Sequence, residues 1–285
     1  MSDIKTIGII GAGTMGSGIA SSAAISGFKT FIYDVNSGAV MNAIHKIVHG
    51  YDILFEKGKI NDEKRKLASG KLTGVNRLEE FSECDFVIEA AIEDMKLKKE
   101  LFQKLGKITR ADTILATNTS SLSITVISTA LEANRERIVG MHFFNPANIM
   151  KLVEVVRGEF TSDDVVRKTV SLSKLLSKTP VICKDTPAFI VNRVARAFYG
   201  EALKIHAEES LPIELIDRII KEEGGFAMGP FELMDLIGID VNLSVTKSVY
   251  EAFFYDQKYK TSPIQQKMVD AGLLGRKTKQ GFYKY

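Results

Sequence analysis

An α/β fold, with a doubly wound and mainly parallel sheet followed by a smaller all-α domain, is predicted by three features of the 285-residue sequence. Through most of the chain, short apolar runs alternate with helical periodicity, the pattern of successive βαβ units. Most of these runs are continuous rather than alternating, as expected of strands covered by helices on both faces. After Lys184-Asp185-Thr186-Pro187 only helical periodicity remains. A chain of this length is long for one core, so we place a boundary near residue 185, giving domains 1–184 and 185–285.

Taken in order, the strand candidates are Thr6–Ile10, Lys29–Tyr33, Asp85–Ala90, Thr113–Ala116, Arg137–His142, Lys151–Val156 and Pro180–Cys183. A helix over Ser17–Ser26 follows the first. The stretch between Asp34 and the short run Leu72–Val75 is too long for a single crossover helix, and it is rich in charge at Lys57, Lys59, Lys64, Arg65 and Lys66. It reads as an inserted helical hairpin. Thr161-Ser162-Asp163-Asp164 has the residues of a helix N-terminus and precedes Val165, Val166, Val170, Leu172, Leu175 and Leu176. In the second domain, helices are expected over Phe189–Glu208, Ile213–Glu222 and Leu233–Phe254, with Pro212 and Pro230 at first-turn positions.

Composition narrows the function. Hydrophobic residues are 45% and charged residues 26% of the chain, the balance of an ordinary globular protein. A net charge of +3 gives no general attraction to nucleic acid or a membrane surface, so anion binding must come from local groups. Cys84 and Cys183 are the only cysteines; two isolated thiols support neither a disulfide framework nor a zinc site. No run approaches the ~18 apolar residues of a membrane span, and Thr6–Ile10 is too short for a signal segment. Cytoplasm is the expected location, and no metal is expected.

Gly11-Ala12-Gly13-Thr14-Met15-Gly16 follows the first strand and opens the first helix, which is the context a G-x-G-x-x-G fingerprint requires. Gly11 would make the tight turn, Gly13 would let backbone approach a pyrophosphate, and Gly16 would let the helix pack on the strand. The phosphates would rest on the N–H groups of Thr14, Met15 and Gly16 at the helix N-terminus. Asp34 ends the second strand at the roughly 20-residue spacing expected of the ribose-binding carboxylate. It would accept from the ribose hydroxyls and repel a 2′-phosphate, favouring NAD over NADP. This is a Rossmann-type arrangement, although FAD uses the same fingerprint.

Ligands of open α/β sheets bind at the carboxyl ends of the strands. Asn118-Thr119-Ser120-Ser121 follows one such end, His142 ends the next strand, and Glu154 lies in the otherwise apolar Leu152-Val153-Glu154-Val155-Val156. A carboxylate in that setting either faces solvent from an edge or is buried with a partner, because burial alone costs several kcal/mol. His142 is the candidate partner, since Pro146 permits a turn that brings the two strands side by side. A His–Glu pair suits oxidation of a secondary alcohol: the imidazole takes the hydroxyl proton as hydride leaves the carbon, and the carboxylate fixes the tautomer.

These segments resemble the L-3-hydroxyacyl-CoA dehydrogenases. The resemblance is carried by Asn118-Thr119-Ser120-Ser121-Leu122, His142-Phe143-Phe144-Asn145-Pro146, Lys151-Leu152-Val153-Glu154-Val155, Asp185-Thr186-Pro187 with Phe189-Ile190-Val191-Asn192-Arg193, Met228-Gly229-Pro230-Phe231-Glu232-Leu233, and Gly281-Phe282-Tyr283. It runs nearly end to end. It implies that His142 is the base and Glu154 its orienting carboxylate, that Ser120 hydrogen-bonds the substrate hydroxyl, and that Asn192 helps position the substrate. Glu93, Lys98, Asn145 and Lys277 match positions that approach NAD. The implied substrate is an acyl-CoA thioester of short chain, such as 3-hydroxybutyryl-CoA, with Lys57 in the hairpin offering a counter-charge to CoA. The helical domain is expected to form a homodimer.

The sequence departs from the family pattern at Gly50-Tyr51, where a CoA-contacting serine is expected, at Ala188 and Ala227, and by one extra residue between Ser121 and His142. These departures bear on substrate fit rather than on the base. Two other readings share part of the pattern: a dehydrogenase of free 3-hydroxy acids, and a crystallin-like protein that binds NAD without turnover.

Overall fold

The computed structural model describes residues 4–285 and divides between Thr186 and Pro187 into two compact units. The first unit holds one eight-stranded sheet. Its strands are β1 (Thr6–Ile10), β2 (Lys29–Tyr33), β3 (Leu72–Gly74), β4 (Phe86–Glu89), β5 (Ile114–Thr117), β6 (Ile138–Phe143), β7 (Leu152–Arg157) and β8 (Thr179–Lys184), in the spatial order β3-β2-β1-β4-β5-β6-β7-β8. All neighbours are parallel except β6 and β7, which run antiparallel. The central strands are buried along nearly their whole length, which explains their unbroken apolar sequences. Ile7, Ile9, Ile32 and Ile88 meet Ile19, Ala20 and Ala23 in the main core.

The crossover helices of this unit are α1 (Thr14–Ile25), α2 (Ser37–Glu56), α3 (Asp62–Gly70), α4 (Met95–Ile108), α5 (Ile124–Ser128) and α6 (Asp163–Leu175). Five of them are capped by a side chain at the N-cap that accepts from the first turn: Asn36, Asn61, Asp94, Ser123 and Ser162. The expected hairpin is α2 and α3. Arg65 joins its two arms, lying 2.7 Å from Asp52 and 2.7 Å from Asp62. Tyr51 is buried and its hydroxyl donates to Ser21 O of α1 at 2.7 Å, so this residue ties the hairpin to α1. Burial pushes the Tyr51 phenol up to about 12.

Several expected boundaries move. α1 begins at Thr14, not Ser17, because the chain turns helical directly after Gly13. β3 is a strand that the sequence hides: Leu72-Thr73-Gly74 is short and partly exposed, and only its pairing with β2 makes it one.

The second unit contains α7 (Val191–Glu209), α8 (Ile213–Glu222), α9 (Pro230–Ile237), α10 (Ile239–Ala252) and α11 (Pro263–Asp270). The helix expected from Phe189 starts at Val191, since Ala188 and Phe189 hold left-handed φ of 64° and 50°. The single periodic stretch expected over Leu233–Phe254 is two helices broken at Gly238, whose φ is 100°. Pro230 is the first residue of α9, whereas Pro212 is the residue before α8. Leu203, Ile216, Phe231, Met234 and Ile239 form the core.

Two buried carboxylates fasten this unit's C-terminal segment. Asp235 accepts from the N–H groups of Phe282 and Tyr283, each at 2.9 Å, and from the Tyr285 hydroxyl at 3.1 Å. Asp217 accepts from Phe231 and Glu232 N–H and from the Tyr283 hydroxyl at 2.8 Å. Replacing Asp235 by alanine strands two backbone donors. We expect a loss of about 1–3 kcal/mol and a melting temperature lower by several degrees in calorimetry. An unchanged melting temperature would show that apolar contacts alone hold the segment.

Candidate active site

Beside the carboxyl ends of β1 and β2 lies a cavity of about 580 Å³ lined by Gly11, Gly13, Thr14, Met15 and Asp34, with Val35, Ile92 and Leu97 among its apolar walls. Backbone geometry explains the glycines. Gly11 sits at φ 100°, and a Cβ there would lie 2.5 Å from Ala90 O. A Cβ on Gly16 would collide with the carbonyl oxygen of Gly11, so α1 could not pack so closely on β1. At Gly13 a Cβ would meet nothing within 4 Å. The space beside it is open to a ligand, and the first turn of α1 supplies N–H groups that have no intrahelical partner. Asp34 is fixed before any ligand arrives: Oδ2 accepts from Ala12 N–H at 2.8 Å and Oδ1 from Asn36 N–H at 3.0 Å. The residues present therefore fit a dinucleotide.

His142 and Glu154 are directly opposite one another in the antiparallel β6–β7 pair. His142 Nδ1 lies 2.7 Å from Glu154 Oε2, and both side chains are buried, at 8% and 1% exposed. A carboxylate only accepts, so the imidazole proton belongs on Nδ1 and the lone pair on Nε2. The ring also stands against Phe144, with centroids 4.6 Å apart.

The loop after β5 is organised from below. Glu93 accepts from the Thr119 hydroxyl and from the N–H groups of Ser120 (2.9 Å) and Ser121 (3.2 Å), and the Ser120 hydroxyl lies 3.4 Å from it. Burial pushes the Glu93 carboxyl up, but the Thr119 bond, the nearby Lys98 ammonium and the loop N–H donors outweigh it and hold the group below the usual carboxylate range. Lys98 itself is 1% exposed and lies 2.6 Å from Glu89 and 3.4 Å from Glu93. It bears on the site through these two carboxylates. Asn118 Oδ1 accepts from Phe143 N–H at 2.8 Å and so ties this loop to the His142 strand.

Two organising carboxylates escaped the sequence reading. Glu89, fully buried at the end of β4, accepts from Ala91 N–H and the Thr117 hydroxyl, both at 2.7 Å. Its only signal is an acid closing the apolar run Phe86-Val87-Ile88. Asp185, read as part of a boundary, accepts from the Ser123 hydroxyl (2.7 Å) and from Ile124 and Thr125 N–H (3.0 and 2.8 Å), and so anchors the far end of the Ser120 loop. Of the other expected residues, Asn145 is exposed in the turn after β6, and Lys57 is exposed at the end of α2. Asn192 and Lys277 belong to the second unit, where Asn192 lies in the first turn of α7 and Lys277 pairs with Asp240.

Cys84 and Cys183 are free, and burial pushes both thiols up to about 12, so neither is a nucleophile at neutral pH. Among the described residues, no cluster of three or more His, Cys, Asp or Glu is placed to hold a metal ion. No described helix is long and apolar enough to cross a membrane.

Known proteins resemble this chain in sequence and fold. Residues 6–186 match the family model of the 3-hydroxyacyl-CoA dehydrogenase NAD binding domain, and residues 189–285 match that of the 3-hydroxyacyl-CoA dehydrogenase C-terminal domain. The 3-hydroxyadipyl-CoA dehydrogenase of Escherichia coli is 43% identical over 99% of this chain, which spans only 59% of that protein's length. A 3-hydroxybutyryl-CoA dehydrogenase of Clostridioides difficile is 39% identical, covering 98% of this chain and 99% of that one. The crystal structure of (S)-3-hydroxybutyryl-CoA dehydrogenase from Ralstonia eutropha superposes with a TM-score of 0.95 at 37% identity, over 99% of both chains. With both family domains present in order and relatives matching from end to end, this chain belongs to the 3-hydroxyacyl-CoA dehydrogenase family, and its first unit is that family's NAD-binding domain.

Proposed function

We propose that this chain oxidises short-chain L-3-hydroxyacyl-CoA thioesters, 3-hydroxybutyryl-CoA above all, to the 3-oxoacyl-CoA, and that it catalyses the reverse reduction. The observation that carries this reading is the buried hydrogen bond between His142 Nδ1 and Glu154 Oε2 at 2.7 Å. When bound, NAD⁺ supplies a hydride acceptor. His142 Nε2 takes the proton of the C3 hydroxyl while the C3–H bond breaks and the carbonyl forms. Glu154 holds the ring in the tautomer that makes Nε2 the acceptor, and it stabilises the imidazolium that results. The Ser120 hydroxyl positions the substrate oxygen on a loop held by Glu93 and Asp185.

On the same reading, Asn192 of the second unit positions the thioester, and Lys57 on the hairpin meets CoA phosphate. Glu93, Lys98, Asn145 and Lys277 serve the cofactor, Lys98 acting through Glu93. The names of the relatives support the substrate class. The second unit, by family likeness, forms the contact of a homodimer, and the chain works in the cytoplasm.

Three measurements test these assignments. His142→Ala and Glu154→Gln should each lower kcat/KM by roughly 10²–10⁴. The double variant should be little worse than either, because groups acting as one unit are non-additive. Near-full activity in Glu154→Gln would reduce that carboxylate to a structural role. Next, native enzyme should prefer NADH to NADPH, and Asp34→Ala should weaken NADH binding while narrowing the difference; equal use of both by native enzyme would refute the role given to Asp34. Finally, 3-hydroxybutyryl-CoA should turn over far better than free 3-hydroxybutyrate when NADH formation is followed, and the opposite order would move the chain to the free hydroxy acids.

A further inference from the structure

The turn between β6 and β7, residues 144–151, joins the His142 strand to the Glu154 strand and carries Asn145. It folds on itself, with Ile149 and Met150 N–H both donating to Pro146 O at 3.0 and 2.9 Å. Its own carbonyls at Ala147 and Met150 converge on one cation: Lys178 Nζ donates to Ala147 O at 2.5 Å and to Met150 O at 2.9 Å. Ala147 is buried against α1, where a Cβ on Gly18 would lie 3.1 Å from its own. The turn is thus held between α1 on one side and Lys178 on the other. Lys178 is itself fixed. It is 8% exposed, its N–H donates to Ser173 O of α6 at 2.9 Å, and the next N–H, of Thr179, donates to Lys151 O at 2.7 Å as the β7–β8 pairing begins.

We propose that Lys178 is a positioning residue for the reaction: its ammonium fixes the turn that sets Glu154 opposite His142 and presents Asn145. The inference rests on reading His142–Glu154 as the base and its orienter. Side chains alternate along a strand, so a slip of one residue in this turn would send Glu154 to the other face of the sheet. Smaller displacements matter too, since about 1 Å of misplacement costs up to ~10²-fold in rate. A lysine suits the task because its compact cation offers three donors.

The charged groups facing Lys178 are Lys151 on the turn and Glu63 and Lys64 at the start of α3, all lining one cavity of about 650 Å³; α1 and the end of α6 contribute only uncharged residues to that lining. Burial, with Lys151 adding to it, pushes the Lys178 ammonium below the ordinary lysine range. A cationic clamp is complete at low pH and is lost as pH rises through the lysine's pKa. The alkaline decline in activity should therefore set in below the pH at which a solvated lysine titrates.

The experiment compares native enzyme with Lys178→Met, Lys178→Arg and His142→Ala across pH, scoring kcat, KM, NADH binding by fluorescence and thermal melting. Lys178→Met should stay folded and bind NADH, yet lose about 10–100-fold in kcat/KM, chiefly in kcat. In a companion Lys178→Ala variant, whose shortened side chain leaves the ammonium's place empty, ethylammonium should restore part of the loss. Lys178→Arg should keep more activity and shift the alkaline decline upward, since guanidinium does not titrate there. Native kcat/KM in a folded Lys178→Met overturns the proposal, as does a loss that follows melting temperature and, in Lys178→Ala, ignores ethylammonium. Should the methionine variant not fold, an arginine variant with an unmoved alkaline decline overturns it instead. Activity in His142→Ala would defeat the underlying base-pair reading. An inactive His142→Ala beside an unaffected Lys178→Met would defeat only the role of Lys178.

Discussion

The antiparallel pairing of β6 with β7 is the constraint on which the candidate site depends. Directly opposed residues in such a pair bring their Cβ atoms to about 4.5–5.5 Å, the separation at which an imidazole and a carboxylate meet in one hydrogen bond. His142 and Glu154 occupy such a position. The sheet is otherwise parallel up to β6, so its strand ends gather on one side, where an α/β sheet binds its ligands. Reversal of β7 returns a residue to that same side without a crossover helix. An acid in the middle of an apolar strand is thereby carried to the end of its neighbour.

Around this pair, the loops at the strand ends are held by carboxylates that accept from distant backbone. Asp34 holds the glycine loop through Ala12, Glu93 holds Thr119–Ser121, and Asp185 holds Ser123–Thr125. Glu89 supports the next layer through Ala91, Thr117 and Lys98. Loops joining strands to helices are ordinarily the softest parts of such a domain. A carboxylate with two or three donors stiffens them, because each buried lone pair left without a partner would be costly. The arrangement places the Ser120 loop between two anchors, one on each side of the serine.

Much of this was legible in the sequence, and the parts that were not share a cause. The central strands were plain because burial on both faces leaves an unbroken apolar run, and the glycine fingerprint with Asp34 was plain because its spacing is set by backbone contacts. The His142–Glu154 pairing could be read because an acid inside Leu152–Val156 demanded a partner. β3 was hidden because its identity comes from pairing rather than from its own residues. The break at Gly238 was hidden because apolar periodicity continues on both sides of it. Glu89 and Asp185 were missed for a different reason. Their partners are backbone N–H groups, which carry no residue signature, together with side chains distant in the chain, so nothing in sequence spacing distinguishes an organising acid from one that merely ends a strand. Lys98 shows the same limit: its family position is readable, but only the structure shows it buried behind two carboxylates.

The distribution of these charges also bears on how a chain so nearly neutral accommodates an anionic dinucleotide. Asp34, Glu89 and Glu93 all stand at the carboxyl ends of strands or in the loops that follow them, where unscreened anions would repel a pyrophosphate. Each is instead engaged by N–H or hydroxyl donors, and Lys98 adds a buried positive charge between Glu89 and Glu93. The N-terminal turn of α1, open beside Gly13, then offers the diphosphate uncontested donors and the positive end of a helix dipole. Asp34, fixed at its two oxygens by Ala12 and Asn36, keeps a carboxylate in the same cavity, at the position proposed to meet the ribose. A 2′-phosphate brought beside Asp34 would meet a carboxylate, and no arginine is among the residues that line this cavity. On the role proposed for Asp34, cofactor choice is a matter of where single charges are placed and what they are bonded to rather than of the chain's net charge.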